Sequence, residues 1–441
     1  MTDVTATVAR YTYGTWRAQR GWAPLHVTKA QGVHFWDATG KKYLDLNAQL
    51  MCSNLGHQNE AVVEAICRQA REMAYISPSF ACDVRAELAT KLLEVLPAGL
   101  DKFFFSTSGT EANEAAIKIA RMYTGKHKII ARYKGYHGST AGAVAATGDF
   151  RRWFAGLDGV IPGVLHAPET NCYRCPIGHR YPGCGIACAD YIAHMIDNES
   201  DVAAVILEPI VGTNGVLVPP KEYLPRLAEL CKKRGVLLIA DEVMSGWGRV
   251  GSWFAVDQLG VVPDILCTAK GITGAMAPLG LVATSRAIAD HFDDNFFAHG
   301  HTYEAHPLTL APAIAAIDEY RRLDLLHRAH VAGDRLGARL RALADRHPSI
   351  GDVRGMGLFW AVDLVKNRET REPFNTQIEK AARKPLLIDQ ITGEMMKRGV
   401  YALGWMSHLV IAPPLIISDE DLDFAVDVID EVLAIADARV E

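Results

Sequence analysis

The stretch "GVLLIADEV", residues 235–243, decides the reading of the chain. Val236 to Ala240 are apolar without alternation, and Asp241 and Glu242 follow at once. A strand exposed on one face alternates polar and apolar residues, whereas a strand covered on both faces reads as a continuous apolar run. This stretch therefore predicts a buried strand of a mostly parallel sheet, with a carboxylate at its carboxyl end. Open sheets of that kind bind their ligands at the carboxyl ends of the strands.

Further runs lie on either side. "VAAVILEPI" precedes it, and "DILCTAKG" and "PLGLVATS" follow. Upstream, "KFFFSTSGTE" leads into a helix and "KHKIIARYKGYHG" comes next. From about residue 100 to 285, strand-like runs alternate with helix-like ones, which predicts an α/β domain. The flanks read differently. "GVHFWDATGKKYLDL" predicts an antiparallel hairpin turning at "ATGKK". Beyond 325, helical stretches flank short strands such as "GLFWAVDL" and "HLVIAPPL", and "DEDLDFAVDVIDEVLAIADA" predicts a closing amphipathic helix. Residues 1–60 and 325–441 are thus expected to form one smaller α+β domain beside a large domain at 61–324.

Of 441 residues, 49% are hydrophobic and 22% charged, as in ordinary soluble enzymes. A net charge of −5 argues against a nucleic-acid partner or a basic membrane-binding surface. No apolar run approaches the roughly 20 residues of a membrane span. The first residues lack the basic-then-apolar pattern of a signal peptide. A cytoplasmic location is the expectation.

Three features carry chemistry. Ser108, Gly109 and Thr110 end a strand and open a helix whose Ala112, Ala115, Ala116 and Ile119 share a face. Backbone N–H groups at a helix start, with hydroxyls beside them, cradle an anion, although the same pattern serves as a plain N-cap. Asp241 can hold a metal, cap a helix or pair with a ring cation. Lys270 ends an apolar run 29 residues later, about one crossover unit, which can set it on the neighbouring strand end. A buried ammonium is costly unless it is paired or sheds its proton. A phosphate cradle, a carboxylate and a lysine able to act as a neutral amine together ask for a ligand with a phosphate, a basic ring nitrogen and a carbonyl. Pyridoxal 5'-phosphate (PLP) has all three. Lys270 would form a Schiff base with its aldehyde, and Asp241 would keep the pyridine nitrogen protonated, making the ring an electron sink. Tyr136 in "YKGYHGST" is an aromatic able to lie on one ring face, and Val243 can pack on the other.

The chain resembles the class III aminotransferases, PLP enzymes of fold type I. The resemblance rests on "FWDATGKKYLDL", "NLGH", "STSGTEANEAAIKIAR", "GYHGST", "ILEPI", "LLIADEVMSGWGRVG", "CTAKGITGAMAPLG", "GHTYEAHPL" and "VRGMGLFWAVDL", in order over nearly the whole length. It implies a seven-stranded, mostly parallel sheet, Lys270 as the Schiff-base lysine and Asp241 as the pyridinium partner. It also implies Ser108, Gly109 and Thr110 at the phosphate, Tyr136 and His137 beside the ring, and Glu208 near its hydroxyl edge. Thr302 would reach the phosphate bound by a second subunit, which makes a homodimer or a larger assembly the expectation.

Cys172, Cys175, Cys184 and Cys188 crowd into "NCYRCPIGHRYPGCGIACADY". Their spacing suits structural zinc, with His179 as a spare ligand, while the plainer reading is a Pro/Gly-rich surface loop of reduced thiols. No catalytic metal is expected. The insertion resembles that of taurine–pyruvate aminotransferases and related pyruvate-dependent ω-amine transaminases. This implies ping-pong transfer from an amine donor to an oxo acid such as pyruvate. Relatives often carry a C-terminal arginine for the substrate carboxylate. Leu403 and Val410 stand where the alternatives would align, and Met51 stands where a bulky aromatic is common. Arg354 reads as structural, His408 as a core or surface histidine, and Trp22, Trp405 and Met406 as core or pocket wall. A PLP-dependent aminomutase or racemase shares Lys270 and Asp241, and a zinc-stabilised binding protein is the reading from a different class.

Overall fold

The computed structural model describes residues 3–156 and 161–441. A seven-stranded sheet runs, in spatial order, Leu100–Ser106, Gly280–Ser285, Ile265–Thr268, Leu237–Asp241, Val202–Leu207, Lys128–Arg132 and Val164–Ala167. The last five pair in parallel, as their unbroken apolar runs require. Gly280–Ser285 runs against both its neighbours. The short connection 269–279 leaves no room for the crossover that a parallel return needs. One strand of an otherwise parallel sheet is therefore reversed.

Helices cover both faces. Gly109–Thr124 buries Ala112, Ala115, Ala116 and Ile119 against the sheet, and Gly125 ends it in the left-handed conformation (φ 68°) that favours glycine. The hairpin forms as His34–Asp37 and Lys42–Asp45, and Val27–Gln31 adds a third strand. From the far end of the chain, Val400–Tyr401 pairs in parallel with Lys42–Asp45. A last sheet joins Ile350–Met356, Phe359–Asn367, His408–Ile411 and Leu403–Trp405. Helices Leu325–Arg346 and Asp419–Asp437 follow the apolar periodicity of their sequences. One continuous core joins Leu44 and Leu46 to Leu238, Trp247, Tyr320, Leu409 and Leu415, so the chain ends pack onto the large sheet. Among the described residues no helix is long and apolar enough to cross a membrane.

Candidate active site

Parallel pairing of Leu237–Asp241 with Ile265–Thr268 brings Asp241 beside Cys267, and the chain turns three residues later at Lys270. A cavity of about 500 Å³ opens there. Its lining includes Ser108, Gly109, Thr110, Tyr136, His137, Glu208, Asp241, Val243 and Lys270. Nine of the ten residues expected at the site thus meet in one cavity. Thr302, the tenth, is exposed outside it, its carbonyl accepting from the Tyr75 hydroxyl (3.0 Å).

Ser108 is the N-cap of helix Gly109–Thr124, its side chain accepting from the Glu111 N–H. A Cβ on Gly109 would stand 2.9 Å from both methyls of Val243, so glycine is what lets the helix start close over that residue. Gly138, at φ 141°, brings its loop onto Thr110, whose Oγ1 accepts from the N–H groups of Ser139 (3.0 Å) and Thr140 (3.2 Å). The cradle is built from two segments.

Asp241 is nearly buried and firmly held. Its Oδ2 accepts from Asn113 Nδ2 (2.7 Å) and lies 2.8 Å from His137 Nδ1, while Oδ1 accepts from the Val243 N–H (3.1 Å). Glu208 accepts from the N–H groups of Tyr136 (2.9 Å) and Gly212 (2.8 Å). Burial, and then the neighbouring charge of Asp241, raises the Glu208 pKa. Burial lowers the Lys270 pKa, against the opposing pull of Cys52, Asp241 and Glu208. The amine is therefore easier to deprotonate than an exposed lysine.

Asn113 and Cys52 line the cavity without having been singled out from the sequence. Asn113 had a readable signal, as the one amide within the alanine face of its helix. His137 holds Asp241, a contact that spans 104 positions and that no local pattern discloses. Trp22, Trp405, Met406 and Met51 are not in the lining. Val410 is core, and the His408 ring is buried, which lowers its pKa to about 3. Arg354 pairs with Asp352 and Asp363 and donates to the Gly215 carbonyl. No arginine lines the cavity among the described residues.

The four clustered cysteines are free thiols around a second, much smaller cavity of about 20 Å³. Among the described residues no group of three or more His, Cys, Asp or Glu side chains is disposed to hold a metal ion, so the zinc-ligand geometry suggested by their spacing is not formed. The loop is fastened instead by Arg174, whose guanidinium donates to both oxygens of buried Asp363 (2.8 and 2.9 Å).

The donor set fits PLP: a hydroxyl and N–H cradle, a buried carboxylate and a depressed lysine around one cavity. The Aminotransferase class-III family model matches residues 17–433. The chain belongs to the class III aminotransferases. These are PLP enzymes of fold type I, so the cofactor read from those three features is the cofactor of the family. The chain is 36% identical to a taurine:2-oxoglutarate aminotransferase from Bifidobacterium kashiwanohense, solved with PLP and glutamate. The two structures agree with a TM-score of 0.93 over 99% of this chain and 98% of that one. It is 35% identical to a leucine/methionine racemase from Thermococcus litoralis (94% of this chain, 91% of the relative). It is 34% identical to a putrescine–pyruvate aminotransferase from Pseudomonas aeruginosa (90% and 88%).

Proposed function

We propose that this class III aminotransferase moves an amino group from a primary amine or ω-amino compound to an oxo acid, pyruvate first among them, in two successive half-reactions. The observation that carries the reading is the meeting of the Ser108–Thr110 cradle, Asp241 and Lys270 around a single cavity. PLP, when bound, supplies an aldehyde that condenses with amines and a ring that takes up the electron pair released at the substrate Cα. Ser108, Gly109 and Thr110 bind the phosphate through hydroxyls and the helix-start N–H groups. Asp241, braced by Asn113 and His137, holds a proton at the pyridine nitrogen. Tyr136 and Val243 would pack on the two faces of the ring, and Glu208 would lie toward its hydroxyl. Lys270, as a neutral amine, would take the proton from the donor Cα and pass it to the carbon that receives the nitrogen, and would reverse this transfer with the oxo acid in the second half-reaction.

Among the described residues the lining carries no guanidinium to fork onto a carboxylate, so no lining side chain is assigned to the carboxylate of a donor or of pyruvate. Residues 1–60 and 325–441 are read as one smaller domain around the large domain at 61–324, a division supported by the pairing of Val400–Tyr401 with Lys42–Asp45. Thr302, exposed on its own chain, is read as serving a partner subunit's phosphate in a cytoplasmic homodimer.

The test is a donor panel of β-alanine, taurine, diamines, and aryl and alkyl amines, each with pyruvate, reading alanine. A donor that yields alanine supports the proposal. Failure of every donor, together with racemisation of leucine or methionine without an oxo acid, favours the second reading, an amino-acid racemase. That reading is supported by the 35% identity to the Thermococcus racemase. Lys270→Ala should abolish alanine formation and the cofactor's absorbance near the visible edge in either case.

A further inference from the structure

Lys270 stands in the left-handed region, with φ 53°. Side chains with a Cβ avoid this conformation, and it persists only where the surroundings impose it. The Gly271 carbonyl, directly after the lysine, accepts from Tyr320 Oη at 2.8 Å as well as from the Gly274 N–H at 3.0 Å. Tyr320 is fully buried on helix Pro307–Arg322, and its ring packs against Trp247 (centroids 6.2 Å apart) and Trp253 (5.8 Å). Trp247 in turn donates from Nε1 to Thr268 Oγ1 at 2.7 Å, two residues before Lys270. Its own carbonyl accepts from Asn54 Nδ2 (2.9 Å), and Asn54 Oδ1 accepts from the buried Arg249 guanidinium (2.6 Å). A Cβ on Gly271 would lie 2.6 Å from Asn54 Nδ2 and 2.7 Å from Trp247 Cβ, which shows how tightly this framework closes on the turn.

We propose that Tyr320 is a positioning residue for Lys270: its ring is held by two tryptophans, and its hydroxyl fixes the Gly271 carbonyl, one residue beyond the lysine, and through that turn the direction in which the lysine side chain enters the cavity. Tyr320 is not among the residues that line the cavity. It acts by denying the turn its relaxed conformations, and a small misplacement of a reacting amine is costly in rate. The inference rests on Lys270 being the amine that carries PLP.

The experiment compares wild-type protein, Tyr320→Phe and Lys270→Ala, each stripped of cofactor. Acetylation of Lys270 by acetic anhydride is followed against pH by peptide mass spectrometry, and the rate at which added PLP is captured is followed by absorbance. In Tyr320→Phe the released amine reaches water and carboxylates more freely. Its acetylation midpoint should rise by about half a pH unit or more, and PLP capture should slow about tenfold. Thr268→Val, which removes the acceptor of Trp247, should move both in the same direction, and it replaces Tyr320→Phe if that variant does not fold. Midpoint and capture rate equal to wild type would overturn the proposal, even with a lowered melting temperature. If borohydride fixes PLP covalently to Lys270→Ala, the assignment of the lysine fails, and the Tyr320 inference falls with it for a distinguishable reason.

Discussion

Asp241 and Lys270 illustrate how the surroundings of a side chain set its chemistry. Asp241 keeps its position through bonds to Asn113, His137 and its own loop, so Asp241→Asn retains a polar group of the same shape. Only the charge is lost. The variant should still bind PLP but lose about 10²-fold or more in kcat, since a neutral amide does not stabilise a ring cation; single-turnover absorbance changes would measure it. Lys270 shows the matching pH dependence. Its pKa lies below the ordinary lysine value because burial penalises the ammonium. PLP capture by cofactor-free protein should accordingly rise with pH and level off below the pH at which an exposed lysine loses its proton. A plateau only at the exposed-lysine pH would contradict this.

At the scale of elements, strand ends and helix starts converge because the sheet is mostly parallel. The reversed strand Gly280–Ser285 supports the cradle from beneath. A Cβ on Gly280 would come within 2.4 Å of Ser106 Oγ and of the Ser108 carbonyl oxygen. Gly280→Ala should therefore destabilise the protein by about 1–3 kcal/mol and weaken PLP binding, as measured by thermal melting and fluorescence titration. His408 acts on the C-terminal sheet. Buried with a pKa of about 3 against an ordinary 6.5, it stays neutral in the fold while the unfolded chain takes up a proton. Its contribution is intact above pH 6.5 and is lost as pH falls through the window down to about 3, at up to about 1.4 kcal/mol per unit. His408→Gln should flatten the loss of stability across that window in denaturant titrations. The same slope in both proteins would refute it.

For the whole molecule, the exposed Thr302 bears on the proposed dimer. Sedimentation should find two chains or more per particle, and Thr302→Ala should weaken PLP binding about tenfold in the assembled enzyme. A monomer with undiminished affinity would remove the shared site. The motifs "STSGTE", "LLIADEV" and "CTAKG" were legible because each joins a secondary-structure signal to a chemical residue type within a few positions. Local spacing also determined the hairpin, the long helices and the choice of cofactor. What bound those pieces to one another was not local. The reversal of Gly280–Ser285 follows from a short connection, and its consequence for Ser108 exists only once the strands pair. His137 on Asp241, Tyr320 behind Lys270 and Arg174 on Asp363 link residues 50 to 189 positions apart. The sequence thus determined which groups meet at the candidate site, because residue type and strand-end position are local properties. Tertiary structure alone decided what holds those groups, because a hydrogen bond across the core depends on which surfaces packing brings together.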